Sequence, residues 1–279
     1  MLLLQAVTVS VFAQQSTIRG IVLDSLTQEP LPSATVYING TTIGTATDTD
    51  GRFELKDVTF PATVIFSFVG YVPKALDLER NTGGLTIMLK TNDELPEVEI
   101  SGKIDNKDLE YFKSMFLGDD RWGRRATIKN EQALTFDRSD ETSYVIRRIS
   151  KTSFSIPTVN ADLAEKHVEY NDTVKVKKSQ FSAQASEPLI IDLPLLGYEL
   201  YVDLVKFSVV TVTSVTTCDM LGYFYYRPYE NAKKRKAESF EKNRKRAYYG
   251  SSQHLLRSIS ENSLAENGFL LTKLDKIEK

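Results

Sequence analysis

The sequence has 279 residues, of which 41% are apolar and 26% are charged. Its 35 Lys and Arg residues nearly balance 37 Asp and Glu residues, so the net charge of −2 excludes a long-range field that would commit the chain to nucleic acid or membrane. The length predicts two modest domains, since single cores usually stop near about 100–200 residues.

The first residues predict an export signal. An apolar run extends from Leu2 to Phe12, and Val11-Phe12-Ala13 is a stretch that a signal peptidase would read, so residues 1–13 are expected to be removed after export. No Lys or Arg precedes Arg19, so the positive start of such a signal is missing and the sequence is expected to begin late. An N-terminal core segment is the alternative. The run is too short to span a bilayer, which takes about 20 residues.

The cysteine content limits covalent cross-links. Cys218 is the sole cysteine, so an internal disulfide is excluded, and no cysteine follows the apolar run to carry a lipid anchor. We expect Cys218 to be a buried structural thiol. The mature chain is expected to be soluble, in the periplasm or associated with the outer membrane, without a transmembrane span.

Residues 17–90 predict a small β-sandwich, because short β-like runs recur about every eight to twelve residues between turn residues. The predicted strands are Ile18–Leu23, Thr35–Ile38, Thr42–Ala46, Gly51–Lys56, Thr63–Phe68 and Leu85–Leu89. Alternation along the fifth strand places Val64, Phe66 and Phe68 on one face, toward a core, and turns Ser67 to the other face.

The same part of the chain carries four motifs in order. They are Gly20 in the first strand, Pro30-Leu31-Pro32-Ser33-Ala34-Thr35-Val36, Thr47-Asp48-Thr49-Asp50-Gly51-Arg52-Phe53 and Phe68-Val69-Gly70-Tyr71. In these motifs the chain resembles the carboxypeptidase-like regulatory domain, a transthyretin-like or prealbumin-like β-sandwich. The resemblance implies a non-catalytic module of the kind found at the N-terminus of TonB-dependent outer-membrane receptors and beside other exported domains.

The Asp48-Thr49-Asp50-Gly51 turn has two interpretations. Alternating carboxylates ahead of a glycine occur in calcium loops, but the third acidic position and the later Glu of an EF-hand are missing, since Phe53 and Lys56 supply no carboxylate. A β-turn is the simpler prediction.

Residues 91–103 predict a linker, because a polar stretch is followed by a short extended segment between a proline and a glycine. The segment LPEVEISG resembles the strip that follows the regulatory sandwich in TonB-dependent receptors and pairs as a strand with the energy-transducing partner. Its alternation of Val98 and Ile100 with acidic residues would support strand addition. An edge strand that joins two domains is the alternative. A receptor is not expected, because the residues after Gly102 are too few for a barrel and plug.

Residues 104–279 predict a second domain, an antiparallel sheet with helices, so the fold class of the chain is mainly β with helices (α+β). Leu109, Phe112 and Phe116 recur at helical spacing and predict a helix over 106–117 whose apolar stripe docks on another element. The sole Trp, Trp122, lies among arginines. A cation–π contact or phosphate-binding patch is one interpretation, and a ring that caps the sheet is the other.

A second sheet is indicated by period-two alternation in Leu189–Ile191 and Gly197–Val215. Leucines and valines occupy one side of the long run, and Asp203 lies on the opposite, polar side. The aromatic-rich segment Leu221–Tyr229 continues the meander. Its rings could stack on sugars, but tyrosine and phenylalanine are also good strand formers.

The strongest charge feature lies in a segment, Asn231–Asn267, with a helical pattern. The basic residues there are Lys233, Lys234, Arg235, Lys236, Lys242, Arg244, Lys245 and Arg246, against Glu238 and Glu241. This basic patch predicts contact with anionic lipid headgroups, lipopolysaccharide phosphates or an acidic partner rather than nucleic acid. A solvated helix face is the alternative.

The same segment contains a polar stripe. Its members recur at steps of four and three and would align on an uninterrupted helix, where Ala247 and Gly250 would let another backbone approach while His254 and Arg257 bond to a facing sheet. The candidate binding residues are Asn243, Arg244, Tyr248, Ser251, His254, Arg257 and Ser258. The alternative is a buried polar network that joins helix to sheet.

Catalytic motifs are missing from the sequence. A metallocarboxypeptidase needs His and Glu three apart plus a distant His, whereas the two histidines, His167 and His254, lack that spacing. Gly250-Ser251-Ser252 lacks the spacing of a nucleophile elbow. We therefore expect no catalytic residue, no metal and no cofactor.

Four segments, FKSMFLG, EPLIIDLPLLGYELYVDLVKF, GYFYYRP and NRKRAYYGSSQHLLRSI, resemble an uncharacterised exported family in which the regulatory sandwich precedes a second module. This resemblance implies architecture and compartment but no mechanism. The predicted function is a non-catalytic exported binding protein of the cell envelope, whose sandwich docks an envelope protein partner. The alternative is a ligand-binding or hydrolytic C-terminal domain that acts on an anionic or glycan envelope ligand.

Overall fold

The computed structural model describes the backbone of residues 16–92, 105–157 and 163–272. Among these residues, side chains are described except in the range 145–174. The predicted export signal and the segment LPEVEISG lie outside these residues. The N-terminal strands are β1 (Ser16–Asp24), β2 (Thr35–Ile38), β3 (Gly44–Ala46), β4 (Arg52–Val58), β5 (Ala62–Ser67), β6 (Lys74–Leu78) and β7 (Gly84–Leu89). The later elements are α1 (Asn106–Leu117), β8 (Thr127–Ile128), β9 (Leu134–Pro157), β10 (Leu163–Ala185), β11 (Leu189–Leu193), β12 (Tyr198–Val212), β13 (Val215–Pro228), α2 (Lys234–Tyr248) and α3 (Ser252–Ser260).

The N-terminal strands form two sheets that share a core. One sheet has the order β4-β1-β7, with β1 antiparallel to β4 and parallel to β7, and the other has the antiparallel order β3-β2-β5-β6. Val64 and Phe66 are fully buried in the core, as predicted, whereas Phe68 follows β5 and is half-buried against it. The predicted β-sandwich is confirmed, and β6 is the strand that the sequence interpretation missed.

The Asp48–Gly51 segment is a β-turn, as predicted. The amide of Gly51 donates to the carbonyl of Asp48 at 3.0 Å. The carboxylate of Asp48 accepts from the amides of Asp50 and Arg52 at 2.9 and 2.8 Å. This carboxylate therefore stabilises the backbone of the turn.

The second domain is built on an antiparallel sheet of order β8-β11-β12-β10-β9, with β13 paired to β12. Strands β9 and β10 form a long hairpin in which Leu134 lies opposite Ala185 and Pro157 lies opposite Leu163. Strand β12 pairs with β11 through residues 198–202 and with β10 through residues 207–212, while β13 pairs along most of its other edge. The predicted sheet is confirmed, but the long hairpin was not predicted.

Helix α1 covers the predicted range and docks on this sheet through aromatic contacts. The side chain of Asp105 caps its first turn by accepting from the amide of Lys107 at 2.9 Å. Phe112 is fully buried, and its ring centroid lies 4.8 Å from that of Phe207 and 5.7 Å from that of Phe136. The apolar stripe read from the sequence is therefore the docking face.

The C-terminal segment corrects the prediction of one uninterrupted helix. Helix α2 ends at Tyr248, and α3 begins at Ser252 after Gly250 adopts a φ of +83°. The Ser251 side chain caps α3 by accepting from the amide of His254 at 3.1 Å. The helix breaks at Gly250 and Ser251 because glycine tolerates positive φ and serine is a strong N-cap residue. The expected close approach of a backbone at Gly250 is also wrong, since a Cβ built there would meet no heavy atom within 4 Å.

Two further single-residue expectations can be compared with the structure. Cys218 is exposed in β13, so the prediction of a buried thiol is wrong. The half-buried Trp122 ring lies 5.4 Å from the guanidinium carbon of Arg121, which is the cation–π arrangement. Among the helices that the structure describes, none is both long and apolar enough to cross a membrane.

Candidate functional site

The N-terminal sandwich has a groove between two strand edges. Within the described residues β3 is an edge of one sheet and β4 an edge of the other, and both line a cavity of about 810 Å³. The lining residues are Arg19, Thr42, Ile43, Gly44, Thr45, Ala46, Asp48, Arg52, Phe53, Glu54, Lys56 and Asp57. Edge strands can bind an extended peptide, because they present backbone donors and acceptors. We call this surface the β3–β4 groove.

The wall of the β3–β4 groove carries charges of both signs. Glu54 accepts a hydrogen bond from Arg19 and lies 3.5 Å from the amine of Lys56. The hydrogen bond from Arg19, with further attraction to Lys56, lowers the pKa of Glu54. These side chains are exposed, so their ion pairs contribute little to stability and remain accessible to a partner.

Strand β3 also contacts the second domain. A Cβ on Gly44 would lie 2.7 Å from Cε2 of Tyr225, so only glycine allows this close approach. The ring of Tyr225 lies between those of Tyr37 and Tyr201, at centroid distances of 5.4 and 6.0 Å. The aromatic residues of β13 therefore pack in the structure, as the strand interpretation predicted.

A backbone ladder continues this contact between the domains. The amide of Gly40 donates to the carbonyl of Phe224 at 2.7 Å, and the amide of Tyr226 donates to the carbonyl of Thr41 at 2.9 Å. The side chain of Asn39 accepts from the amide of Phe224 at 2.9 Å. The turn after β2 thus pairs with β13 as a short extension of the second sheet.

A buried carboxylate lies beside this ladder. Asp203 of β12 is 6% exposed and accepts hydrogen bonds from the hydroxyls of Tyr37 and Ser67 in the sandwich. Burial raises the pKa of Asp203, and the two hydrogen bonds oppose that rise. The sequence placed Asp203 and Ser67 on the outward faces of their strands correctly, but it held no signal that these faces meet. We call this contact the Asp203 seam.

The predicted binding residues fall into two groups. In the first group, Asn243 and Arg244 of α2 bind the loop before β12. The Asn243 side chain donates to the carbonyl of Leu195 at 2.8 Å, and Arg244 donates to the carbonyls of Leu196 and Gly197 at 2.8 and 3.2 Å. The guanidinium carbon of Arg244 also lies 3.8 Å from the Tyr198 ring centroid. This group is a polar network that joins helix to sheet.

The second group surrounds α3. His254 is 4% exposed; its Nδ1 accepts from the amide of Gly250 at 3.2 Å, and its Nε2 lies 3.1 Å from Oδ1 of Asn267. Because Nδ1 accepts, Nε2 carries the proton and donates. Ser258 donates to the carbonyl of His254 at 2.7 Å. These contacts stay within the α3 region, so the expectation that His254 bonds to a facing sheet is wrong.

Tyr248 and Arg257 complete this second group. The Tyr248 ring lies 4.8 Å from that of His254, and the guanidinium carbon of Arg257 lies 5.9 Å from the Tyr248 ring. The Arg257 side chain is 62% exposed. The structure therefore brings Tyr248, Ser251, His254 and Arg257 together but places Asn243 and Arg244 in a separate network.

The basic patch lies on the exposed side of α2. The exposed members are Lys233, Lys234, Arg235, Lys236, Lys242, Lys245 and Arg246. Lys245 pairs with Glu241 at 2.8 Å, and the amine of Lys236 lies 5.7 Å from the Phe240 ring. Phe240 and Asn243 form the buried side of the helix.

A charged cluster that the sequence interpretation missed lies at one end of the second sheet. Glu199 accepts hydrogen bonds from Lys129, from Tyr201 at 2.6 Å and from Arg227. Although burial opposes ionisation, the bonds from Lys129 and Tyr201 and the charge of Arg227 lower the pKa of Glu199 to about 2. The cluster was missed because β12, β13 and the residue after β8 supply its members. Since Glu199 pairs with both cations, the cluster stabilises the sheet.

The described side chains can be searched for groups of metal ligands. Within residues 16–92, 105–144 and 175–272, no group of three or more His, Cys, Asp or Glu side chains could hold a metal ion. The sequence expectation that there is no catalytic site remains a prediction.

Comparisons with known proteins relate the N-terminal part to a family. Residues 18–100 match the family model of the CarboxypepD_reg-like domain. The resemblance read from the sequence is therefore confirmed for this domain, and the match extends ten residues beyond the predicted sandwich. The chain is also 41% identical over 96 residues to the TonB-dependent receptor SusC of Bacteroides thetaiotaomicron. That alignment covers 34% of this chain and 9% of the receptor, so the chain spans less than a tenth of the receptor's length.

One solved structure aligns over much of the chain. It is the crystal structure of a protein of unknown function from Bacteroides fragilis, with 9% sequence identity and a TM-score of 0.23. The alignment covers 77% of this chain and 99% of the other.

Proposed function

We propose that this chain is a non-catalytic, exported contact protein of the cell envelope whose N-terminal sandwich docks an envelope protein partner. The observation that carries the proposal is the 41% identity between this part of the chain and the TonB-dependent receptor SusC. The predicted export signal at residues 1–13 supports a location in the periplasm or at the outer membrane.

The β3–β4 groove is the proposed docking site. Its two strand edges can add an extended segment of the partner by backbone hydrogen bonding, and its mixed charges can select the side chains of that segment. Gly44 of β3 packs closely on Tyr225, and this contact holds one edge of the groove before the partner binds. A groove fixed in this way loses less conformational entropy on binding.

The contacts of Arg244 favour a binding protein over a hydrolase. An anionic ligand at Arg244 would compete with the carbonyls of Leu196 and Gly197, which already accept from its guanidinium. His254 is bonded at both ring nitrogens and packs against Tyr248 and Phe269. Residues that are paired in this way have structural roles and leave few free groups for an anionic or glycan ligand.

A variant-dependent capture experiment tests the proposal. The tagged full chain would be incubated with envelope fractions under gentle cross-linking, beside the groove variant Arg52→Glu/Lys56→Glu and the control Arg80→Glu/Lys90→Glu, which reverses two exposed charges away from the groove. We expect a protein that the wild type and the control capture but the groove variant loses. Equal capture by all three proteins, or capture of nothing, would contradict docking through the groove.

A further inference from the structure

Helix α3 has the reverse of the usual polarity of a surface helix. His254 and Ser258 are 4% and 1% exposed, whereas Leu256 and Ile259 are 66% and 50% exposed. Residues three apart lie on the same side of a helix, so Leu256 and Ile259 form one outward apolar face. A surface helix ordinarily buries such a face. Among the residues that the structure describes, nothing covers it.

The inward side of α3 fixes this orientation. The His254 ring is hydrogen-bonded to the amide of Gly250 and to the side chain of Asn267. The Ser258 hydroxyl donates to the carbonyl of His254. Rotating Leu256 inward would turn the His254 ring outward and break its bonds to Gly250 and Asn267, whereas the Ser258 bond lies within the helix. The apolar face is therefore a consequence of the polar contacts beneath it.

Other exposed apolar side chains lie around α3. Tyr249 precedes the helix and is 64% exposed, with its ring centroid 5.3 Å from that of His254. The Phe269 ring also packs on His254, with the centroids 4.9 Å apart, and Leu270 and Leu271 follow it in the chain. These two leucines are 85% and 72% exposed. Exposed apolar side chains therefore also lie just before α3 and in the segment after it.

The basic patch lies near the start of α3. Its last member, Arg246, lies three residues before Tyr249, and α2 packs on α3 through Tyr248 and His254. At about 100° per residue, most basic side chains of α2 project away from the buried Phe240, namely Lys234, Arg235, Lys242, Lys245 and Arg246. Lys236 instead lies on the side of Phe240, over its ring, and is exposed. The molecule thus presents exposed leucine, isoleucine and tyrosine beside seven exposed cations.

We propose that the exposed faces of α2 and α3 form a peripheral binding surface for anionic phospholipid bilayers. Apolar side chains of an interfacial helix insert at the boundary between headgroups and acyl chains, and nearby lysines and arginines are attracted to lipid phosphates. A second copy of this chain fits less well, because a symmetric contact through α3 would bring two basic α2 helices near each other. The inference is independent of docking at the β3–β4 groove, which lies on the other domain.

Vesicle flotation with the full chain tests this inference. The vesicles would contain phosphatidylglycerol and phosphatidylcholine, or phosphatidylcholine alone, at low and at physiological salt. The apolar variant is Leu256→Ser/Ile259→Ser, with Val212→Ser/Val215→Ser as its control at two exposed valines in the second sheet. The charge variant is Lys242→Glu/Arg246→Glu, with Arg80→Glu/Lys90→Glu as its control. Circular dichroism confirms that each variant is folded.

We expect the wild type and both controls to float with the anionic vesicles, more strongly at low salt, and both test variants to lose about tenfold or more in binding. Absence of flotation by the folded wild type, or equal binding to the neutral vesicles, would overturn the inference. Wild-type binding by either test variant would also overturn it. Self-association that Leu256→Ser/Ile259→Ser abolishes, without vesicle binding, would assign the face to a second copy instead.

Discussion

The hydroxyl of Tyr37 in β2 donates a hydrogen bond to the carboxylate of Asp203 in β12, and this bond joins the N-terminal sandwich to the second sheet. Ser67 donates to the other carboxylate oxygen. Both donors come from one domain and the acceptor from the other, in a place from which water is largely excluded. The Asp203 seam therefore stabilises one arrangement of the two domains, because separating them breaks both hydrogen bonds.

Removal of one donor tests the seam. Tyr37→Phe keeps the ring but leaves one oxygen of the buried Asp203 without its partner, which should lower the free energy of unfolding by about 1–3 kcal/mol. The matched control is Tyr144→Phe at an exposed ring, where we expect a change within about 0.5 kcal/mol. Denaturant unfolding measures both. Equal stabilities of the two variants would show that the Tyr37 bond contributes little.

The pKa of Asp203 gives a prediction about pH. Burial raises this pKa above its ordinary value of 3.8, so the folded chain holds the proton more tightly than the unfolded chain. The stability from the protonated form is complete below the unfolded pKa and is lost as pH rises through the folded pKa. The free energy of unfolding of wild type minus that of Asp203→Asn should therefore increase between pH 7 and about pH 4. A difference that stays constant or falls on acidification would mean that the carboxylate is not held in this way.

The close approach at Gly44 gives a steric prediction. In Gly44→Ala the new methyl group would lie 2.7 Å from Tyr225, whose ring is held between Tyr37 and Tyr201, so the interface should be destabilised by about 1–3 kcal/mol. Gly84→Ala is the control, because a Cβ there would have no neighbour within 4 Å. Thermal unfolding and limited proteolysis between the domains measure the effect. Unchanged protection in Gly44→Ala would contradict the tight contact.

The attachment of α2 depends on Arg244. Arg244→Met removes the donors to Leu196 and Gly197 while keeping an apolar chain over Tyr198, and should cost about 1–3 kcal/mol. Arg246→Met, at an exposed member of the basic patch, should change stability by less than about 0.5 kcal/mol. Hydrogen exchange should rise along α2 in the first variant and remain unchanged in the second. The same exchange in both would indicate that Arg244 does not hold the helix.

Local patterns predicted the elements whose partners lie within the same domain. Helix α1 was found because its apolar stripe is complete, and β12 because leucine and valine alternate with polar residues along one strand. The long β9–β10 hairpin was missed because its sequence is rich in charged and small polar residues, without a clear apolar period. The short, charged β6 escaped for the same reason.

Relations between distant elements could not be predicted in the same way. Alternation placed Asp203 and Ser67 on polar faces correctly, but a face that meets solvent and a face that meets another domain have the same local pattern. The polar stripe through His254 was predicted by applying an α-helical period across Gly250. The backbone turns at Gly250, so the stripe does not form. Of the predicted site residues, Asn243 and Arg244 proved to be helix anchors, while Tyr248, Ser251, His254 and Arg257 lie together around α3.

Contact with an envelope protein through the sandwich is the central claim, and site-specific photo-crosslinking in cells tests it most directly. A photo-crosslinking amino acid would replace Lys56, whose exposed side chain lines the β3–β4 groove, or Arg80, which is exposed elsewhere on the sandwich. We predict one discrete adduct with an envelope protein from position 56, weakened by Arg52→Glu, and none from position 80. Absence of an adduct at position 56, or the same adduct from both positions, would contradict the claim.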